Sequence, residues 1–403
     1  MPSLIAWLDA SAEEQRRMRD VIRLFSDRES RDELGIGQLR DGISDALFPG
    51  TSTLLTRARY LLFVPWIYQQ AARSSAPVAK ADRLERELIE PLKRSVDNAG
   101  LLGTQAGITL KTLPSSVYWT MLRHYRILRD PTLSREDALM FDGRVADSDA
   151  EGDGPRNLSV WSTTMPEPPD DFPREVEGGF GLRPDEAAWL RDRILDTAPG
   201  SYLAHLAQYA PDDHSPAPWA DPASLDASPE VRDLLAHAQS FSVVMHGAQL
   251  LYNLMIAEEY EAAGLETVVD PVSHYRDELA EWADRLDGQV DVRAWSFDEL
   301  LARIEVDRGS PVHPSTRRFV GAWLELLRGS AADGLPANDA ARGLIRQREK
   351  LNKGAQKRLG NPRRLGGWGG GSGAGELVFR WPTVRRILLD IHEGLARAET
   401  TDA

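Results

Sequence analysis

The chain has 403 residues, 42% of them hydrophobic, with eleven tryptophans, no cysteine and a net charge of −14. That length and apolar content predict a folded protein of two or three domains. The missing thiols exclude disulfides, thiolate metal sites, iron–sulfur clusters and cysteine nucleophiles, and a pI near 5.2 argues against generic coating of DNA.

Met1-Pro2-Ser3-Leu4 lacks the basic start and apolar core of a signal peptide, and no run of about eighteen apolar residues follows, so a cytoplasmic protein without a membrane span is expected. Ser11 and Glu14 make a capping box ahead of Met18, Val21, Ile22 and Phe25 at helical spacing. After Gly35-Ile36-Gly37 a second helix places Leu39, Ile43 and Leu47 inward. A third is expected from Ser52 through Leu54, Leu55, Ala58, Leu61 and Leu62 to Pro65, where it should kink or stop. Residues 38–62 therefore also fit a helix-turn-helix DNA-binding regulator, with Thr53, Thr56, Arg57 and Arg59 as base readers. The following Phe63-Val64-Pro65-Trp66-Ile67-Tyr68 reads as core and favours a structural hairpin.

Residues 80–97 carry Leu84, Leu88, Ile89 and Leu92 on one helical face, and Ser115 or Ser116 should cap a helix with Val117, Tyr118, Trp119, Leu122 and Tyr125. From Asp142 to Gly181 periodicity gives way to acids, glycines and five prolines. This predicts a linker, or a long loop pinned by Trp161 and Phe172. Pro184 opens another helix. The stretch from Pro229 to Ala263 has apolar residues almost all round and predicts a buried central helix. Further helices are expected at about 273–287, 296–306 and 315–328.

The most distinctive stretch lies near the C-terminus. Arg342, Arg346, Lys350, Lys353 and Lys357 share one helical stripe, with Leu344, Leu351, Ala355 and Leu359 opposite as a docking face. Between 342 and 364 nine basic residues stand against one acid, Glu349, a balance of +8 in a chain that carries −22 elsewhere. Gly360-Asn361-Pro362 should end that helix. Seven glycines between 366 and 375 then exclude regular structure and suggest a hinge. Residues 376–381 alternate well enough for one short strand, and Pro382 opens a closing helix through Val384, Ile387, Leu388, Ile391 and Leu395.

Arg342, Arg346, Lys350, Lys353, Lys357, Arg358, Arg363 and Arg364 are accordingly the candidate contacts to nucleic acid, DNA or RNA, or to an acidic partner. A solvated basic face paired with the chain's own acids is the competing reading. The glycine run is no P-loop, since no Gly-Lys-Ser/Thr follows it, and no dinucleotide fingerprint, since it precedes its strand. The eight histidines show no metal-ligand spacing, no serine nucleophile elbow is present, and no metal or cofactor is expected. One enzyme alternative remains: Arg386 and His392 on the closing helix resemble the arginine–histidine pair of HEPN-type helical ribonucleases. Six residues on a helix set them about 120° apart, so they would meet only with distortion or across a dimer.

Two passages carry a wider resemblance. The first is Arg31-Asp-Glu-Leu-Gly-Ile-Gly-Gln-Leu-Arg40, leading to Leu47-Phe-Pro-Gly-Thr-Ser-Thr53 and Thr56-Arg-Ala-Arg-Tyr60. The second runs from Arg346-x-Arg-Glu-Lys350 through Asn361, Trp368 and Ser372-Gly373 to Phe379-Arg380-Trp381. Together they resemble a bacterial family of unknown function that spans essentially the whole chain. The resemblance implies gene neighbours encoding a helicase and a phospholipase-D-type nuclease, as in the three-gene Azaca antiviral system, and carries no catalytic residues with it. The combined expectation is a mainly α, multi-helical protein with at most a short β element near the C-terminus. Its expected parts are an N-terminal helical domain over 1–141, a linker or long loop over 142–183, and a C-terminal helical domain over 184–403. Its expected role is that of a non-catalytic subunit of an anti-phage assembly.

Overall fold

Proline marks where many of these helices begin. Helices start at Pro77, Pro114, Pro184, Pro229, Pro271, Pro314 and Pro362, where the missing N–H is one the first turn could not have used and the ring presets the helical φ. The computed structural model describes residues 32–141, 159–329 and 331–401, and among these it is helical, with no β-strand and a single isolated antiparallel bridge between Leu128 and Trp161. The capping box at Ser11 and its helix lie outside the described residues, as does the 142–158 part of the expected linker.

Two compact units emerge. One takes residues up to Gly42 together with Ala236–Leu377, and the other Ile43–Leu235 with Val378–Ala403. Each is built from sequence-distant pieces.

The first unit holds most of the long helix Pro229–Ala262, together with helices Pro271–Gln289, Phe297–Arg308, Pro314–Gly329 and Asp339–Lys353. The long helix is buried from Phe241 to Ala257, as its mostly apolar pattern predicts. Two indoles reach into its backbone: Trp282 Nε1 donates to the Val243 carbonyl at 2.8 Å and Trp323 Nε1 to that of Val244 at 2.9 Å. Gly247 makes the first approach possible, because a Cβ there would stand 2.2 Å from the Trp282 ring.

Helix Gly37–Leu47 begins in the first unit and contributes its later turns to the second, and its Leu39, Ile43 and Leu47 are all buried as their spacing predicts. The next helix differs from expectation. Residues 52–59 are not helical, and the helix runs Tyr60–Ala72 with Pro65 inside it. Nearly every residue of that helix is buried, so tertiary packing outweighs the hydrogen bond that Pro65 removes. Its core is aromatic: Tyr60, Phe63 and Trp66 meet Phe172 and Phe180, with centroids 5.2–6.3 Å apart, and Trp161 is fully buried against Tyr68 and Trp119. Helix Trp381–Thr401 packs on Pro184–Thr197. No strand forms at 376–381. Phe379 and Arg380 instead take positive φ values of 49° and 67°, which turns the chain directly into the closing helix.

Neither Ser115 nor Ser116 caps the helix Pro114–His124, whose N-cap is Leu113. Glu85 supplies the acceptor: its Oε2 takes the Ser115 N–H at 2.7 Å, while Oε1 is buried without a partner. Burial, opposed by those Ser115 contacts, pushes the Glu85 carboxyl up to about 7. A folded-state value above the unfolded one means stability is fully present below pH about 4.5 and is lost as pH rises to about 7, by up to about 3 kcal/mol. Glu85→Gln keeps an acceptor and cannot ionise. Urea unfolding should show the variant gaining on the wild type between pH 4.5 and 8; a constant difference would refute the assignment.

Candidate contact surface and the clasp behind it

The basic helix spans Asp339–Lys353, begun by Asn338, whose Oδ1 accepts from Ala340 N and Ala341 N at 2.9 and 3.1 Å. It ends earlier than Gly360: Gly354, at φ +52°, stops it, and Lys357 lies beyond a short 3₁₀ turn. The expected docking face is also displaced. Leu351 is 68% exposed and Ala355 is exposed, Leu344 is half-buried, and Leu359 alone of the four is buried. Ala341, Ile345, Arg348 and Glu349 face inward instead.

Two of those four carry charge, and their partners explain the rotation. Glu349 accepts from Tyr252 OH at 2.8 Å, Arg358 N at 2.6 Å and Leu359 N at 3.1 Å, so it ties the chain after the helix back onto the core. Arg348 donates to the Leu34 and Gly35 carbonyls at 2.6 and 2.8 Å, to Thr316 Oγ1 at 2.9 Å and to Ser315 Oγ at 3.2 Å. With carbonyls rather than a carboxylate around it, burial lowers the Arg348 pKa against a weaker opposing pull from Asp32. Gly35 must be glycine here, since it sits at φ +63° and a Cβ would meet the Arg348 guanidinium at 2.4 Å. Asn352 completes the grip on residues 32–35, donating to the Asp32 and Glu33 carbonyls at 2.5 and 3.1 Å.

Most of the candidate cations are engaged within the chain. Glu33, 4% exposed, takes Arg358 at 2.5 Å and Lys353 at 3.3 Å. Burial disfavours the Arg358 charge, but Glu33 outweighs it and raises the pKa above the usual guanidinium value. Burial, with Glu33 and Glu349 nearby, lifts Tyr252 well above the phenol range. Arg342 pairs with Glu258, Arg346 lies 3.8 Å from Glu259, and Lys357 Nζ donates to the Leu359 carbonyl at 2.8 Å. Lys350, Arg363 and Arg364 are exposed and form no ion pair among the described residues. A shallow cleft of about 320 Å³ lies beside the clasp, lined in part by Asp32, His313, Ser315 and Arg348.

The glycine-rich stretch is fixed by its backbone. Asn253 exchanges two hydrogen bonds with Ser372, at 2.8 and 3.0 Å, Tyr275 OH donates to the Gly370 carbonyl at 2.6 Å, and Trp368 is buried against Tyr260 and Tyr275.

The other sequence candidates belong to the second unit. Arg57 and Arg59, read as possible base contacts, are 3% and 1% exposed. Arg57 pairs with Asp390 at 2.9 Å and Asp97 at 2.6 Å, and Arg59 with Glu186 at 3.0 Å, so neither can reach a groove. Arg386 and His392 do not share a site. Arg386 pairs with Asp390 at 2.7 Å, whereas His392 Nε2 donates to the Leu206 carbonyl at 2.8 Å. No group of three metal-ligating side chains occurs among the described residues, and no helix there is long and apolar enough to cross a membrane.

Sequence reasoning missed the clasp formed by Glu33, Arg348 and Glu349. Its one legible sign was Glu349, the lone acid in a +8 segment. The two passages singled out in the sequence prove to be contact partners within each unit: residues 32–35 meet 348–358 in one, and Thr51 meets Arg380 in the other. The chain belongs to DUF6361, a family of unknown function, whose model matches residues 2–394. No curated protein and no solved structure matches it.

Arg348→Lys tests the clasp, since one ammonium cannot reproduce a planar fork that serves four acceptors. Denaturant unfolding should show a loss of about 2–4 kcal/mol. A change within about 0.5 kcal/mol, the range of an ordinary surface substitution, would show that the fork is dispensable.

Proposed function

We propose that this chain is a non-catalytic, cytoplasmic subunit of a bacterial anti-phage assembly. Its basic C-terminal segment contacts nucleic acid, or the acidic face of a helicase- or nuclease-type partner. The observation that carries the reading is the division of labour among the cations. Arg342, Lys353 and Arg358 neutralise internal carboxylates, while Lys350, Arg363 and Arg364 stay exposed with no ion pair among the described residues. Arg346, loosely held by Glu259 and 53% exposed, can join them. Such cations in a chain of net charge −14 form a local positive feature to which a polyanion is drawn while the rest of the surface repels it.

Phosphate contacts release counterions, so binding should weaken steeply with salt. The test is fluorescence anisotropy with single-stranded and duplex oligonucleotides from about 50 to 200 mM salt. Reversing Lys350, Arg363 and Arg364 to Glu should abolish most binding and lower the log–log salt slope by about 2–3. Wild-type binding with an unaltered slope in the triple variant would overturn the nucleic-acid reading. The acidic-partner reading is scored by the same variant in co-purification with the products of the neighbouring genes, where retention of the complex would count against it.

A further inference from the structure

Four polar side chains, Ser242, His246, Gln249 and Asn253, interrupt the apolar helix Pro229–Ala262, and all are buried. Steps of four, three and four put them on one stripe. Two of them hold the glycine-rich stretch: Asn253 grips Ser372, and His246 Nε2 bonds the Ala374 carbonyl at 3.0 Å. A carbonyl only accepts, so Nε2 carries the proton and Nδ1 presents a lone pair. That Nδ1 is buried without a hydrogen-bond partner, and the nearest carboxylate, Glu376, stands 3.6 Å from it. Two acceptors therefore face each other with no hydrogen between them.

We propose that His246 is a proton-released peg: uncharged, it fastens residues 370–376 to the core helix, and protonation at Nδ1 lets them go. An imidazolium in this place needs a second acceptor to replace the water it has lost. Glu376 is beyond hydrogen-bond reach and is shared with Arg285 at 3.8 Å, whose own cation opposes a second positive charge. Glu278, on helix Pro271–Gln289, adds only a weak attraction. Burial is the largest influence, and with Arg285 it outweighs Glu376, the Ala374 carbonyl and Glu278, holding the imidazole below its ordinary value. Once the stretch lifts away, the ring is hydrated and titrates near about 6.5. The detached form thus binds the proton more tightly. Opening is independent of pH above about 7.5 and grows as pH falls through about 6.5, by at most about tenfold per pH unit. Glycine at 370, 371, 373 and 375 means that little side-chain packing is lost when this backbone moves.

The peg does not rest on the polyanion reading and is tested without a ligand. Hydrogen exchange of the full-length protein, read on peptides covering 369–377 and corrected for intrinsic rates, is compared at pH 7.5 and 5.5. Wild-type protection should fall by up to about tenfold at the lower pH. His246→Gln keeps a side-chain N–H for the Ala374 carbonyl and does not titrate, so its protection should be the same at both pH values. Arg285→Gln, at an exposed position, removes the opposing cation and should shrink the wild-type loss. Equal wild-type protection at both pH values, or an undiminished loss in His246→Gln, would overturn the proposal.

Discussion

A carboxylate taken out of water must be surrounded by donors, at a cost of several kcal/mol if it is not, and Glu33 and Glu349 impose that constraint on the unit containing the basic helix. Each is nearly inaccessible to solvent. Glu349 gathers the Tyr252 hydroxyl and two backbone N–H groups, and Glu33 gathers Lys353 and Arg358. The segment after the helix has to fold back to deliver those donors. Its path is therefore set by two buried charges more than by its own apolar residues, which is why Leu351 faces solvent while Arg348 and Glu349 do not. The cations left over define what this surface can offer to another molecule.

The second unit meets the same constraint with arginine. Arg59 and Glu186 are buried together, and Arg57 is divided between Asp390 and Asp97. Such pairs gain little over well-packed apolar residues, but removing one partner strands the other and costs about 3–5 kcal/mol. Asp390 also accepts the Ala58 N–H at 2.9 Å and Tyr118 OH donates to the Arg57 carbonyl at 2.9 Å. The non-helical turn at 56–59 is thus held from both sides by long-range polar contacts. These satisfy backbone groups that a helix there would have satisfied internally.

Periodicity made the apolar part of the fold legible. Leu39, Ile43 and Leu47, and the run from Phe241 to Ala257, are buried because one local pattern agrees with the tertiary packing. The helices expected at 273–287, 296–306 and 315–328 appear as Pro271–Gln289, Phe297–Arg308 and Pro314–Gly329, and a proline or an N-cap serine marks each start. What was not legible depends on partners far away in sequence. Arg57 and Arg59 read as surface cations until Asp390 and Glu186 are brought to them, and Glu85 reads as an exposed helix residue until the Ser115 N–H lies against it. The basic stripe was visible as charge, but half of it is spent on Glu33, Glu258 and Glu259, which no spacing rule connects to it. The polar stripe at Ser242, His246, Gln249 and Asn253 was detectable, since polar residues at helical spacing inside an apolar helix need buried partners.

The central claim is that the basic segment is first an internal clasp and only then a contact surface. A double-mutant cycle between Glu33 and Arg358, using Glu33→Gln and Arg358→Gln in denaturant unfolding, measures that coupling directly. A clasp predicts a favourable coupling of about 1–3 kcal/mol. A coupling below about 0.3 kcal/mol, the scatter expected of independent sites, would contradict it and return Arg358 to the exposed surface.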